Sequence, residues 1–467
     1  MQLTRKLSGP LEGALAAGGD PATSPLYVFG PFMALVVPAG VASVTYGASI
    51  WLAVLTVVTV SVVYRRVMLW VSDGTGGSGL SEEEFGSWAA KLNGGITFIE
   101  YGLTLLVSMS ALVTFIADRV QAFQSPGVGA QLRLGVAIAL TLGVAFVVNR
   151  GPRVATAAFG PATAALLALL WVMMGSSVWH FGVRLPPLHL EAFSAAYLGA
   201  TLGGFARILA LMTGIEVFAN LVAAYDGSPR ERSRKAFGSL VLVMGTTGGT
   251  MLLVGPSIFS LADVNQVEVS VFTQTMDALL PSPLAYAGTL VGVAVLLSAS
   301  ATAMLGIQNL ALGLSHRHYL PARLGRRNRF GVAGVPVWCT ALVAASCFVV
   351  FGTHEATYLA LYAAGVFVLL SMTCWATVRR LLRERKGFGV LGAVVAATFT
   401  STATAVIFAE RFGDGVWAYL LLVPLFYVGM SAARRARGAP SAEQECLGRC
   451  LACSCPGLGP PALAEDG

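Results

Sequence analysis

The sequence predicts an all-α integral membrane protein. Hydrophobic residues make up 56% of the 467 residues and charged residues only 11%, against roughly 25% charged residues in soluble domains. The mean hydropathy is +0.73. Because so little charge cannot cover a soluble surface of this size, the composition excludes a soluble enzyme, a nucleic-acid binder, a disordered chain and a coiled coil. The apolar runs are long and continuous, which favours helices over barrel strands.

Apolar runs of about 20 residues, the length that crosses a hydrocarbon core of about 30 Å, recur along the whole chain. They predict about twelve transmembrane helices. The predicted spans lie near 14–37, 47–64, 95–118, 132–149, 154–175, 194–224, 236–261, 284–313, 335–352, 355–378, 388–409 and 414–432. The domains that follow are a cytoplasmic N-terminus over 1–13, a transmembrane domain over 14–432 and a disordered cytoplasmic tail over 433–467.

The distribution of positive charge predicts the orientation. If both termini are cytoplasmic, all but five of the 30 Lys and Arg residues lie on the inner side; the five are Arg119, Arg133, Arg184, Arg207 and Arg411. Cytoplasmic loops of membrane proteins are rich in Lys and Arg, so this alternation predicts a multi-pass protein with both termini inside. The net charge of +7 therefore reflects topology, and no nucleic-acid partner is expected.

Two predicted spans combine a carboxylate with residues that weaken a helix. In the first span Gly19 and Pro21 flank Asp20, and in the sixth span Gly214 lies two residues before Glu216. Glycine and proline interrupt helices. Because the two spans lie five apart, they predict a transporter of the LeuT type, a 5+5 inverted repeat with helices 1 and 6 broken. The repeats would cover about 14–175 and 194–378, with peripheral helices over 388–432.

Three carboxylates, Asp20, Glu100 and Glu216, fall inside predicted spans. Each costs about 2.5–3.5 kcal/mol to place at the centre of a bilayer on insertion scales. Arg207 is the one basic residue placed deep enough within a predicted span to be an intramembrane partner. In one interpretation an acid pairs with Arg207 and another stays protonated as a packing group. In the other, at least two of the acids line a site for a cation or a proton.

Hydroxyl groups accompany these carboxylates. Glu100, Thr104 and Ser108 are spaced four residues apart and share one helix face, where hydroxyls would add uncharged oxygen ligands for a hard cation. The alternative is that the hydroxyls bond back to the carbonyl four residues earlier. Tyr27 lies two turns beyond the first carboxylate and is either a cavity residue or a packing tyrosine. Gly214 favours unwinding beside Thr213, which exposes backbone carbonyls to a ligand.

The segment from Gly19 to Tyr27, GDPATSPLY, resembles the first-helix motif GD-x-x-TSPLY of the KUP-type potassium uptake permeases. These belong to the amino acid–polyamine–organocation (APC) superfamily. The segments at 100–104 and 211–216 look like the third and sixth helices of the KimA branch of that group. The segments at 319–321 and 361–367 are similar to that branch as well. The resemblance covers about residues 14–430.

The resemblance implies a role for each candidate site residue. Potassium would be held by Asp20, Tyr27, Glu100, Thr104, Ser108 and Thr213, while Glu216 would couple transport to protons. It further implies transported K⁺ and H⁺ with no cofactor, a plasma (inner) membrane location, the lipid bilayer and a small cation as partners, and a homodimer as the candidate assembly. The third-helix acid is usually Asp in the family, so Glu100 reaches one methylene further. The cytoplasmic regulatory domain of KimA-type proteins is not expected here.

Two segments outside the spans attract attention by composition. The Gly-rich stretch 73–86 replaces the GGGG-A/S-Y-type turn of the family and is predicted to be a flexible intracellular loop, with a short helix capped by Ser81 and Glu84. It lacks the Lys-Ser/Thr ending of a phosphate loop, and three glutamates follow, so nucleotide binding is not expected. The tail cysteines are weak candidates for zinc, with palmitoylation and reduced, unstructured thiols as alternatives; they are Cys446, Cys450, Cys453 and Cys455.

These observations predict a secondary transporter that imports a monovalent cation, potassium foremost, coupled to protons. The alternative is an amino acid or polyamine permease on the same fold. A cationic amine would suit the three acids, whereas a neutral amino acid would require two of them to be protonated. A non-transporting sensor is less consistent with three intact acids. An enzyme is not expected, because the sequence has no His-rich metal motif and no Ser–His pair.

Overall fold

The structure, a computed structural model, describes residues 6–125, 127–151, 161–212, 214–264, 269–385 and 387–452. Within these ranges every regular element is a helix. Ten of the helices found there are long and apolar enough to cross a membrane, which confirms a helical integral membrane protein. They are α3 (Ala42–Trp70), α5 (Ser87–Ala117), α6 (Val128–Val148), α7 (Ala162–Phe181), α10 (Pro229–Leu253), α13 (Ser282–His316), α14 (Gly334–Phe351), α15 (Glu355–Arg383), α16 (Gly387–Glu410) and α17 (Ala418–Arg437).

The remaining helices are shorter or interrupted. They are α1 (Pro10–Ala17), α2 (Gly19–Val36), α4 (Gly76–Phe85), α8 (Leu198–Ile208), α9 (Ile215–Asn220), α11 (Gly255–Leu261), α12 (Val271–Leu279) and α18 (Ala442–Ala452). The ten long helices coincide with ten of the predicted spans. The other two predicted spans are the first and the sixth, where the sequence expects breaks. The count of twelve and the inverted repeat stay predictions.

Both of those spans are interrupted. Helices α1 and α2 meet at Gly18, one residue before the expected break at Gly19. Pro21 lies in the first turn of α2, where proline is well tolerated. In the sixth span, α8 continues into a 3₁₀ turn over Leu209–Met212, and α9 starts after Gly214. The backbone of Gly214 has φ +91°, a left-handed conformation that glycine adopts without strain and other residues rarely do.

The two interruptions touch each other. A Cβ built on Gly214 would lie 2.1 Å from Cγ of Pro21, so the bare backbone of one broken helix packs against the proline ring of the other. This contact sets the start of α2 and the start of α9 side by side. The two carboxylates that follow these interruptions, Asp20 and Glu216, are thereby brought to the same region of the protein.

The Gly-rich stretch after α3 is helix α4, so the prediction of a flexible loop was wrong. Its residues Gly76, Gly77, Leu80 and Ser81 are buried, and the small side chains let the helix pack closely between its neighbours α5, α9 and α15. The helix begins at Gly76 and has no side-chain cap. The predicted capping box that starts at Ser81 is therefore not formed.

Charge also holds α4 in place. Its three consecutive glutamates each pair with an arginine of another segment: Glu82 with Arg317 at 2.5 Å, Glu83 with Arg380 at 2.9 Å, and Glu84 with Arg383 at 2.6 Å. All of these arginines follow or end membrane helices on the side predicted to be cytoplasmic. Leu7, near the N-terminus, lies on that side too. Its N–H donates to the carbonyl of Ala224 at 3.0 Å, and Ala224 is the last residue of the sixth predicted span, which ends on the side predicted to be cytoplasmic.

The C-terminal region is ordered further than its composition indicates. Disorder was expected from residue 433, yet α17 continues to Arg437 and α18 covers Ala442–Ala452. The reason is contact with distant parts of the chain: Glu445 pairs with Arg317 at 2.7 Å and with Arg434 at 3.0 Å. Cys453 and Cys455 lie outside the described residues.

Candidate functional site

A cavity of about 110 Å³ lies between the two broken helices and the helices α4, α5, α13, α15 and α18. Its wall contains four of the residues that the sequence predicts as ligands or proton carriers, namely Asp20, Glu100, Thr104 and Glu216. Gly214 also lines it. These residues come from α2, α5 and α9, and the contact between the two helix interruptions is what brings the helices together.

Asp20 uses one carboxylate oxygen and leaves the other open. The hydroxyl of Tyr362, on α15, donates to Asp20 Oδ2 at 3.3 Å. The second oxygen, Oδ1, is buried and has no hydrogen-bond partner among the described residues. A buried carboxylate oxygen without a donor is costly, so this atom is suited to bind a cation or a proton from the cavity.

Glu216 and Glu100 differ in their surroundings. The hydroxyl of Ser78, on α4, donates to Glu216 Oε1 at 3.0 Å. For the carboxylate of Glu100 the described residues supply no hydrogen bond and no ion pair. Three carboxylates therefore face one small space, and in the described part of the chain hydroxyl groups are the donors that reach them.

Arg207 does not neutralise these acids. Its Nη1 donates to the carbonyl of Gly203 at 3.1 Å, and Glu410 and Asp414 are the acids nearest to it. Among the described residues no ion pair joins Arg207 to Asp20, Glu100 or Glu216. The interpretation in which an intramembrane acid pairs with Arg207 is therefore not the arrangement found.

The hydroxyl ladder on α5 is partly engaged. Thr104 Oγ1 donates to the carbonyl of Glu100 at 2.9 Å, as the alternative interpretation expected. A hydroxyl that donates its proton keeps its lone pairs, so Thr104 remains able to face a cation. Ser108 and Tyr27 are buried, at 2% and 4% exposure, and are not among the residues that line the cavity. Thr213 lies outside the described residues.

Two residues that donate hydrogen bonds to the carboxylates of the site, Tyr362 and Ser78, were not predicted individually. Tyr362 lies in the segment 361–367 that carried the family resemblance, so its position was noticed without a role. Ser78 lies in the Gly-rich stretch interpreted as a loop. One signal could have indicated Ser78: it is the only polar side chain within the run Gly76–Gly79. A single polar residue among glycines is the pattern of a closely packed helix with one functional group.

The described residues contain no group of three or more His, Cys, Asp or Glu side chains arranged to hold a metal ion. Of the tail cysteines, Cys446 is exposed and free. Cys453 and Cys455, together with the side chain of Cys450, are outside the described part of the chain. The zinc and palmitoylation alternatives for the tail stay predictions.

Comparison with known proteins gives one informative relative. No protein family model matches the chain. A curated protein named potassium transporter KimA, from Bacillus subtilis, is 21% identical over 418 residues, which cover 85% of this chain and 66% of KimA. The chain is similar to KimA. This match confirms the resemblance that the motifs predict, while the chain spans just under two thirds of the length of KimA.

A solved structure gives a weaker likeness. It is the manganese transporter of Eremococcus coleocola in complex with an aromatic bis-isothiourea substituted compound, with 15% sequence identity and a TM-score of 0.42. The superposition covers 91% of this chain and 94% of that chain. A likeness of this degree establishes neither the fold nor the transported ion, so the similarity to KimA remains the informative one.

Proposed function

We propose that this protein is a secondary transporter that carries a monovalent cation, potassium, coupled to protons. The observation that carries the proposal is the placement of Asp20, Glu100 and Glu216 around one small cavity, where the arginines of the described wall, Arg317 and Arg449, pair with Glu82 rather than with these three acids. Intramembrane acids in such a position belong to cation and proton pathways. The name of the relative KimA supports potassium as the cargo.

The charge of the site favours a cation over an anion. Three carboxylates near the centre of a bilayer cost about 8–10 kcal/mol if each costs about 2.5–3.5 kcal/mol. Bound cations and protons offset that cost, whereas the carboxylate of an amino acid would add to it. A membrane potential of 100 mV contributes about 2.3 kcal/mol per elementary charge, so the inward movement of a cation is favoured before any coupling.

The size of the cavity favours an ion over a larger solute. Its volume of about 110 Å³ is well below the roughly 300–1,000 Å³ of pockets that hold drug-sized ligands. A dehydrated cation with a few waters fits this space. The alternative, an amino acid or polyamine permease on the same fold, requires the cavity to expand, and it is the first rival to test.

The residues then divide between two tasks. Asp20 and Glu100 supply charged oxygens and Thr104 a neutral one, with Tyr27, Ser108 and Thr213 as the further ligands that the family resemblance implies. Glu216 takes and releases the proton, and the hydroxyl of Ser78 holds its carboxylate toward the cavity. In this proposal the protein lies in the plasma membrane with both termini in the cytoplasm, and the broken helices of a 5+5 repeat hold the cargo.

The test is uptake of rubidium or potassium into proteoliposomes under an inward proton gradient. We expect gradient-stimulated uptake by the wild type and loss of that stimulation in Glu216→Gln, because the amide cannot release a proton. The matched control is Glu355→Gln, since Glu355 begins α15, is not among the residues that line the cavity and accepts a hydrogen bond from Thr114 at 3.0 Å. That variant should retain stimulated uptake.

Competition identifies the cargo. Unlabelled potassium should suppress rubidium uptake, and lysine, putrescine and leucine should not. Absence of alkali-cation flux under every gradient would overturn the proposal. Suppression by lysine or putrescine, with flux of the labelled amine, would instead favour the polyamine or amino acid permease.

A further inference from the structure

The C-terminal helix α18 lies across one end of the cavity. Arg449 of α18 forms part of the cavity wall together with Glu82 of α4 and Arg317, the residue that follows α13. The proposed cation ligands Asp20 and Glu100 line the same cavity. A segment that the sequence predicts to be disordered thus supplies part of the wall of the space in which the cargo would bind.

Five charged residues hold this helix in place and form what we call the charged cluster: Glu82, Arg317, Arg434, Glu445 and Arg449. Arg317 pairs with Glu82 at 2.5 Å and with Glu445 at 2.7 Å. Arg434 pairs with Glu445 at 3.0 Å, and Arg449 pairs with Glu82 at 3.1 Å. Arg449 also lies 4.0 Å from Glu445, so each acid is shared by at least two arginines, which links α4, α13, α17 and α18 at one point.

Burial strengthens the cluster at its centre. The side chain of Arg317 is only 5% exposed and that of Glu82 only 11%. Burial by itself raises the pKa of Glu445, but Arg317 and Arg434 outweigh it and hold that pKa below its usual value. The same acids raise the pKa of Arg317 against the effect of its burial. Arg317 and Glu445 are therefore both charged at neutral pH.

The helix also fits its site sterically. A Cβ on Gly448 would lie 2.4 Å from Cγ of Arg317 and 2.7 Å from the carbonyl oxygen of Gly313. Glycine at this position lets α18 approach the backbone of α13 more closely than any other residue would allow. Steric fit and charge pairing are separate observations, and both hold α18 against α13 in this structure.

Helix α4 connects the cluster to the proposed proton carrier. Ser78 donates to Glu216 at 3.0 Å, and Glu82, one turn later on the same face, pairs with Arg317 and Arg449. A movement of α4 therefore shifts the hydrogen bond to Glu216 and the ion pairs of Glu82 at the same time.

We infer that α18 is an intramolecular latch that closes the cytoplasmic end of the transport cavity through the charged cluster, and that it must release before cargo reaches the cytoplasm. The inference rests on the proposed transport function. In this inference α18 acts as a gate. Glu82 stays in place on α4, and Glu445 moves away with α18 when the helix releases.

The test measures access to the cavity from the cytoplasmic side. Thr97 lines the cavity and is not one of the proposed ligands, so Thr97→Cys, in a chain whose seven native cysteines are replaced, reports entry of a membrane-impermeant thiol reagent. We expect Glu445→Gln to raise the labelling rate about fivefold, the change that corresponds to loss of about 1 kcal/mol of ion pairing. Deletion of residues 438–467 should raise the rate further.

The matched control is Glu443→Gln, which removes the same charge from an exposed position two residues away on α18. It should label at the rate of the parent, and all variants should elute as the parent does in size-exclusion chromatography. If Glu445→Gln and the deletion both label at the parental rate, α18 is not a gate and the inference fails. Labelling does not depend on the cargo, so increased access without any alkali-cation flux would refute the transport proposal while leaving the latch standing.

Discussion

The contact between the two helix interruptions predicts a specific effect of Gly214→Ala. An alanine Cβ would lie 2.1 Å from Pro21 Cγ, 2.8 Å from its Cβ and 3.0 Å from its Cδ. The backbone φ of +91° adds strain of about 1–2 kcal/mol for a residue with a side chain. Overpacking in a filled core adds about 1–3 kcal/mol. Together the two effects lower the free energy of unfolding by about 2–5 kcal/mol.

Gly415→Ala separates the two contributions. Gly415 has nearly the same backbone conformation, φ +105° and ψ −4° against φ +91° and ψ −2° at Gly214, but the only atom of the described residues within 4 Å of the position that an alanine Cβ would take there is Cδ1 of the flexible Leu361 side chain, at 3.2 Å. We expect this variant to lose only the backbone part, about 1–2 kcal/mol. Pro21→Ala in the Gly214→Ala background should recover about 1–3 kcal/mol, because the small alanine side chain removes most of the clash.

The assay is thermal unfolding of the purified protein in detergent. An unfolding entropy of about 2.1 cal/mol/K per residue gives about 1 kcal/mol/K for 467 residues, so each kcal/mol lowers the Tm by about 1 °C. Gly214→Ala should therefore melt about 2–5 °C below the wild type and Gly415→Ala about 1–2 °C below it. Equal losses in the two variants, or no recovery on removing the Pro21 ring, would show that the broken helices do not meet where the structure places them.

Two further predictions concern α4 and α18. Ser78→Ala should slow proton-stimulated rubidium uptake by about tenfold, because a hydrogen bond to a charged group contributes about 1.5–3 kcal/mol. Ser78→Thr, which keeps the hydroxyl, should retain most of the wild-type uptake. Equal uptake by Ser78→Ala and the wild type would remove Ser78 from the mechanism. Acid should release α18. Arg317 and Arg434 lower the pKa of Glu445 against the effect of burial, which raises it. The contribution of Glu445 to the docking of α18 is therefore present above about pH 4.5 and is lost as the pH falls through the lowered pKa. The anisotropy of a fluorophore at Glu443→Cys should therefore fall on acidification, and it should change less with pH in Glu445→Gln, whereas an unchanged anisotropy down to pH 3 would contradict this.

The sequence predicted the parts of the fold that depend on local patterns. Long apolar runs predicted helices because each one satisfies its backbone internally, and ten of them lie where expected. The interruption at Gly214 was expected from its residue type alone, whereas its left-handed backbone was not predicted. The first interruption fell at Gly18 rather than Gly19, since either glycine permits it and the choice depends on packing.

The site was predicted only as far as single helices allow. Glu100 and Thr104 share a face of α5 by their spacing, which sequence reveals. The hydrogen bonds that complete the site join residues far apart: Ser78 to Glu216 is a separation of 138 residues, and Tyr362 to Asp20 is one of 342. No local pattern indicates such pairs.

The same limit explains the errors outside the ten long helices. Composition indicated a loop at α4 and disorder at α18, because neither segment has enough apolar residues to fold by itself. Each is ordered by arginines of distant segments, Arg380 and Arg383 for α4 and Arg317 and Arg434 for α18. Charge pairing at long range produces structure that a propensity estimate does not see.

The partial exposure of the charged cluster has a practical consequence for the choice of buffer. The side chains of Glu445, Arg434 and Arg449 are 23%, 29% and 42% exposed, so dissolved salt reaches them. The Debye length shrinks from about 30 Å at 0.01 M to about 8 Å at 0.15 M and about 3 Å at 1 M. Samples prepared at low ionic strength will therefore hold α18 more firmly than the cell does, and samples in molar salt will hold it less firmly. Structures and rates obtained in different salt concentrations would describe different populations of the same protein.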